Sequence, residues 1–191
     1  MRPSCVLRAN TSPSRSGWGE SPNRRLIPPV RLGPADPWVF PYVEYPVERA
    51  YPPEANIVLR PVVEVTVHGS EDESKISALV DSGAENTLLA PWTKRVLGLL
   101  PDPTTEIEIG IGGRLRKVQF CDVDLSLHRP DSEEVLGWRA EVGVIVSEWD
   151  PPFPAVLGQR GFLDQFTVTM HRGAQALVVE DWHEFDRRFP P

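Results

Sequence analysis

Residues 78–89 read Ala78-Leu79-Val80-Asp81-Ser82-Gly83-Ala84-Glu85-Asn86-Thr87-Leu88-Leu89, in which a carboxylate, a hydroxyl, a glycine and a small residue sit between apolar runs. Taken alone, Asp-Ser-Gly is a turn: the Asp side chain bonds the backbone two residues on and the glycine supplies a positive φ. Here the apolar flanks predict that the triplet ends a strand within the body of the fold. The Asp81 carboxylate is therefore expected to point into a cavity and to be paired or protonated there.

Working outward, β-branched and alternating runs dominate. Asn56-Ile57-Val58-Leu59 leads through Pro61 into Val62-Val63-Glu64-Val65-Thr66-Val67, which stops at Gly69-Ser70, and Ile76 to Val80 runs directly into Asp81. Thr105 to Ile109 alternates, Gly110-Ile111-Gly112-Gly113 turns the chain and Leu115 to Phe120 returns, the pattern of a hairpin with a glycine-rich tip. Cys121 to Leu127 alternates again, Pro130-Asp131-Ser132 turns, and Leu136 to Val146 continues the strand pattern. Helical signal is confined to Pro91 to Leu97, with proline at the first position, and to Arg160 to Phe166. The class expected is all-β, a small barrel or sandwich.

Near the other end, Pro154-Ala155-Val156-Leu157-Gly158-Gln159-Arg160-Gly161 places two apolar residues and a glycine ahead of the second helix-like segment, and a close backbone crossing would require Gly158. Asp81-Ser82-Gly83-Ala84 with Thr87, then the glycine hairpin, then Val156-Leu157-Gly158, occur in the order found in the retropepsins. These are the single-domain aspartic proteases of retroviruses and their cellular relatives, and the chain resembles them from about Ile57 to Val179. The resemblance implies a small closed barrel with a β-hairpin flap and one or two short helices. It implies Asp81 as the catalytic residue, with Ser82, Gly83, Ala84, Thr87 and Gly158 as support. Glu85, Gly110, Ile111, Gly112, Gly113, Phe153, Pro154 and Val156 would lie against the substrate. Viral members carry Arg directly after the downstream glycine, whereas this chain has Gln159 followed by Arg160, so Glu85 is expected to meet Arg160 instead. Extra residues are expected in the hairpin from Leu127 to Arg139.

Peptide hydrolysis of this kind needs two carboxylates sharing a water and a proton, and the chain holds a single Asp-Ser-Gly. The second carboxylate must come from another copy, which makes self-association into a C2 homodimer part of the implied function. Neighbouring carboxyls cannot both ionise cheaply, so such a pair titrates as a unit, an effect for which aspartic proteases are the standard example. The implied activity is that of an aspartic endopeptidase on polypeptide substrates, without metal or other cofactor. The alternative on the same fold is a module that binds peptides or dimerises without turnover.

Composition narrows the field. At 191 residues and 40% hydrophobic content the chain suits one domain with extensions. Residues 1–37 are rich in Pro, Arg and Ser, and they carry six arginines against Glu20 and Asp36. A disordered arm is expected there, followed by the protease domain over residues 38–180 (core 57–179) and an aromatic tail over 181–191. A formal net charge of -7 argues against nucleic acid as the partner. Apolar stretches fall far short of the roughly 20 residues that span a bilayer, so no membrane partner is expected. Cys5 and Cys121 make no disulfide framework, and a cytoplasmic location is expected. His68, His128, His171 and His183 lack metal-ligand spacing, so their expected roles are structural. The Gly110 to Gly113 tip has neither the period nor the following helix of a phosphate loop.

Overall fold

The computed structural model describes residues 37–47, 56–149 and 152–181; all of the expected arm before residue 37 and all of the expected tail after residue 181 lie outside them. Strands make up the body of the chain. In order they are β1 (Trp38–Pro41), β2 (Val43–Pro46), β3 (Ile57–Arg60), β4 (Val62–His68), β5 (Glu73–Val80) and β6 (Leu88–Leu89), then helix α1 (Pro91–Val96). There follow β7 (Asp102–Ile111), β8 (Arg114–His128), β9 (Val135–Ile145), β10 (Ala155–Leu157), β11 (Phe166–His171) and β12 (Ala176–Asp181).

Strands β4, β5, β10, β6, β9 and β8 are joined edge to edge, and β4 also pairs with β8, which closes them into a barrel. Closure leaves these strands no open edge. Alternate residues point inward at the strand period of two: Val63, Val65 and Val67 from β4, Ile76, Ala78 and Val80 from β5, and Val123, Leu125 and Leu127 from β8 are all buried. Trp138, Val142 and Val144 of β9 complete the filling, and α1 caps it with buried Leu97 and Leu99 beyond its end. Outside the ring, β7 pairs with β8 alone and projects with it as a hairpin. Its turn is Gly112-Gly113 with φ of 58° and 75°, the left-handed pair that a two-residue hairpin turn demands. Two smaller sheets flank the barrel, β1-β12-β11 and β2-β3.

The segment from Leu127 to Arg139 lies in the β8–β9 hairpin, and Arg129 N–H donates to the Glu134 carbonyl (3.0 Å) across its turn. Helix α1 starts at Pro91, as the sequence predicts. The second helix, expected from Arg160 to Phe166, is absent: residues 162–165 form turns, and Phe166 already begins β11. Gly161 has a φ of 89°, which ends any right-handed helical path. Its N–H donates to Asp164 Oδ1 (2.9 Å), and its carbonyl accepts from Trp138 Nε1 (2.8 Å). The Phe162 and Phe166 rings pack on Trp138 with centroids 5.8 and 5.3 Å away. Tertiary contacts thus override a weak local preference.

On the outer face where β4 and β8 close the barrel, Thr66 stands opposite Ser126. Thr66 Oγ1 lies 2.7 Å from His128 Nε2, and Ser126 Oγ lies 2.8 Å from His68 Nε2, whose Nδ1 is 2.8 Å from Glu73 Oε2. Burial pushes the His128 ring below its ordinary pKa of 6.5, helped by Lys75 and His68 and opposed by Glu64 and Glu73. The neutral ring is the form that the fold favours, so its contribution is complete above pH 6.5 and is lost as the pH falls through the lowered value. Replacing His128 with Gln, which can still hydrogen-bond Thr66, should therefore flatten the decline in unfolding free energy between pH 7 and 5. Denaturant titrations at several pH values check this, and parallel curves for the two proteins would contradict it.

Candidate active site

Asp81 follows the last residue of β5, and the chain around it is fixed by main-chain bonds. Asp81 N–H donates to the Leu157 carbonyl at 3.0 Å, and the Asp81 carbonyl accepts from Ala84 N–H at 3.1 Å. The carboxylate closes the turn itself, with Oδ1 accepting from Gly83 N–H at 2.9 Å. Ser82 is held through its carbonyl, which accepts from Gln159 Nε2 at 2.7 Å. On the single chain Asp81, Ser82 and Gly83 are exposed, so the carboxylate does not point into an internal cavity as its apolar flanks suggested. Those flanks bury Val80, Leu88 and Leu89 and leave Asp81, Ser82 and Gly83 at the surface.

The loop is gripped from below by the segment after β10. β10 lies between β5 and β6, parallel to the first and antiparallel to the second, with Leu157 level with Val80. Beyond it Gln159 N–H donates to the Ala84 carbonyl (2.8 Å), Arg160 N–H to the Glu85 carbonyl (2.9 Å), and Thr87 N–H to the Arg160 carbonyl (2.9 Å). Buried Thr87 receives Gly158 N–H on its Oγ1 at 3.1 Å. A Cβ on Gly158 would lie 2.5 Å from the Asn86 carbonyl oxygen and 2.7 Å from that of Ala84, so only glycine permits the crossing. The expected partner of Glu85 is in place: Arg160 Nε is 3.2 Å from its Oε1, at a largely exposed pair that adds little stability.

The β7–β8 hairpin and the Asp81 loop share one apolar patch. Leu88, Val118 and Ile145 are buried together, with Ile109, Ile111, Phe120, Trp149 and Val156 packed partly buried against them. Val156 is paired with both Leu79 and Leu88. Ile111 of the hairpin tip and Val156 beside the Asp81 loop are thus brought to the same surface, while Gly110, Gly112 and Gly113 stand exposed at the tip. The base of the hairpin is tied by Glu106, which accepts from Lys117 Nζ and Gln119 Nε2, both at 2.9 Å; these bonds hold its carboxyl below the ordinary value. Ala84 and Pro154 are half-buried, and the Pro154 carbonyl accepts from Ala90 N–H at 2.8 Å. Phe153 is buried, beneath Tyr45.

Sequence reasoning did not find Gln159 as a tether of the Asp81 loop, nor Trp149 and Phe120 in the apolar patch, because none belongs to a recognisable motif. Among the described residues no group of three or more His, Cys, Asp or Glu is placed to hold a metal ion, and no helix is long and apolar enough to cross a membrane. The Cys121 thiol is pushed up to about 11, chiefly by burial and then by Asp122 and Glu141, so it is no ready nucleophile.

No family model and no curated protein matches the chain. Solved structures do match it. One is the retroviral protease-like domain of Ddi1 from Leishmania major, at 17% identity and a TM-score of 0.44 over 65% of this chain and 94% of that one. Another is a retropepsin-like aspartic protease from Rickettsia conorii, at 16% identity and a TM-score of 0.39 over 76% of this chain and 94% of that one. A third is EIAV protease complexed with the inhibitor HBY-793, at 16% identity and a TM-score of 0.31 over 58% of this chain and 88% of that one. The chain is similar to retropepsin-like domains in its all-β architecture, and identities this low carry no residue's role across.

The clamp beneath Asp81 gives a direct test. Gly158→Ala should lower stability by about 1–3 kcal/mol through overpacking against main chain that cannot yield. Thr87→Val should lower it by a similar ~1–3 kcal/mol by leaving the Gly158 N–H buried without its acceptor. Urea denaturation measures both, and midpoints equal to that of the unaltered chain would contradict the clamp.

Proposed function

We propose that the protein is an aspartic endopeptidase that works as a homodimer, with Asp81 of each subunit contributing one carboxylate to a shared site. The observation that carries this reading is an exposed carboxylate at the tip of a loop locked in place by main-chain bonds. Oδ1 closes the turn on Gly83, and the bonds of the Asp81 N–H and carbonyl hold that turn against β10 and Ala84, the fixed placement that a catalytic carboxylate needs. The sequence supplies one such loop per chain, so a pair requires two chains.

In this mechanism a water lies between the two Asp81 carboxyl groups. The ionised one accepts a proton from the water as its oxygen attacks the peptide carbonyl, and the protonated one donates to the carbonyl oxygen, giving a neutral tetrahedral diol. Proton transfer to the amide nitrogen then lets the C–N bond break, releasing an acid and an amine. Gly83 leaves room beside the carboxylate, and the β7–β8 hairpin closes over an extended peptide and excludes bulk water. The apolar patch of Ile111 and Val156 suits large apolar residues around the cut.

Incubation with a diverse peptide library between pH 3 and 7 tests the reading. Asp81→Asn should lower turnover by about 10²–10⁴ or more while the fold persists. Equal cleavage by the variant contradicts the assignment, and peptide binding with no cleavage by either supports the non-catalytic module instead. Specific activity should also rise with protein concentration and then level off. Activity per chain that is independent of concentration down to the nanomolar range contradicts the shared site.

A further inference from the structure

The apolar wall that the sequence assigns to Phe153 is covered. Phe153 is only 8% exposed, with the Tyr45 ring lying over it at a centroid distance of 4.5 Å and an interplanar angle of 38°. The Tyr45 hydroxyl donates to the Pro152 carbonyl at 2.6 Å, so ring and hydroxyl together grip the Pro152-Phe153 segment. Tyr45 itself is half-buried and keeps part of its surface open.

Both sides of this contact are linked to chain that hydrogen-bonds the backbone at Val80 and Asp81. Tyr45 pairs with Val58 of β3, and β3 passes through Pro61, whose carbonyl accepts from Val80 N–H at 2.9 Å, one residue before Asp81. Val58 and Pro61 are three residue steps of extended chain apart, about 10 Å. On the other side, Phe153 and Pro154 run directly into β10, whose Leu157 carbonyl receives Asp81 N–H. The β2-β3 pair is thus tied to β5 and β10, the two strands that hold Asp81.

We propose that Tyr45, rather than Phe153, is the face that a bound peptide meets there, and that it determines specificity for a large apolar or aromatic side chain a few residues from the scissile bond. This selection rests on the peptidase reading of Asp81. An extended peptide entering beside Pro154 lays such a side chain against the open part of the Tyr45 ring, where aromatic and aliphatic groups gain contact area that alanine lacks. The hydroxyl bond to Pro152 keeps the ring in place.

The test is a set of peptides with a fixed scissile pair and Phe, Leu or Ala varied at each flanking position. The unaltered chain should prefer Phe or Leu over Ala at one position by about tenfold in kcat/KM, expressed in KM. Tyr45→Phe, which keeps the ring without its bond to Pro152, should retain part of that preference, and Tyr45→Ala should lose it, the loss falling in KM. Tyr45→Gln, which retains a donor for Pro152, takes the place of the Ala variant if that one unfolds. A uniform fall in kcat across all peptides indicates a merely structural role and overturns the inference. Binding of uncleavable reduced-amide peptides to the Asp81→Asn protein provides a second arm, in which Tyr45→Ala should erase the Phe-over-Ala affinity ratio. Turnover with unchanged selectivity overturns the inference and leaves the Asp81 reading standing. Tyr45-dependent binding without any turnover supports the inference and overturns the peptidase reading, and neither turnover nor binding overturns both.

Discussion

The passage of Gly158 beneath Ala84 and Asn86 is the contact on which the rest of the molecule depends. Two stretches of irregular chain approach so closely there that a single added carbon would meet a carbonyl oxygen at 2.5 Å. That approach lets residues 84–87 and 158–160 exchange main-chain hydrogen bonds without being regular strands. It also holds β10 between β5 and β6, and without β10 the barrel has a gap next to Asp81. Closure of the fold and placement of the carboxylate are one physical event, because the Leu157 carbonyl that ends β10 is the acceptor for Asp81 N–H.

A consequence is a division between rigid and open parts. Thr87, Leu89 and Leu157 are fully enclosed, whereas Asp81, Ser82 and Gly83, only a few residues away, face solvent. Exposure of a fixed acid on a single chain fits a surface that another chain or a peptide completes. The hairpin follows the same division: its base is buttressed by Glu106, Lys117 and Gln119, and its Gly112-Gly113 tip is open. Ile109 and Ile111 of β7, with Val118 and Phe120 of β8, seat the hairpin on the apolar patch, while Gly110, Gly112 and Gly113 stay exposed.

Much of this was legible in the sequence because it is local. The alternation from Thr105 to Phe120 with two glycines between, and Pro91 opening a short helix, are written in neighbouring residues. Gly158 was readable as a close approach through its place after Val156-Leu157. What escaped depends on distant partners. Trp38–Pro41 becomes a strand by pairing with Ala176–Asp181 at the far end of the described chain, and no local pattern announces that. The turns after Arg160 replace a helix because Trp138, from β9, takes the Gly161 carbonyl. Phe153 reads as an exposed wall until Tyr45, from a hairpin that the strand pattern did not reveal, is laid over it. The exposure of Asp81 was missed for the same reason: apolar flanks announce burial of themselves and say little about the residues between them.

The central claim, that each active site takes one Asp81 from each of two chains, is tested most directly by mixing. Unaltered protein and Asp81→Asn protein are combined in varying proportion at constant total concentration, above the dimer dissociation constant, and the rate of peptide cleavage is recorded after exchange. A shared site predicts a rate that follows the square of the unaltered fraction, so that equal parts give about one quarter of the full rate. A rate that falls in direct proportion to the unaltered fraction would mean that each chain works alone, and would contradict the account.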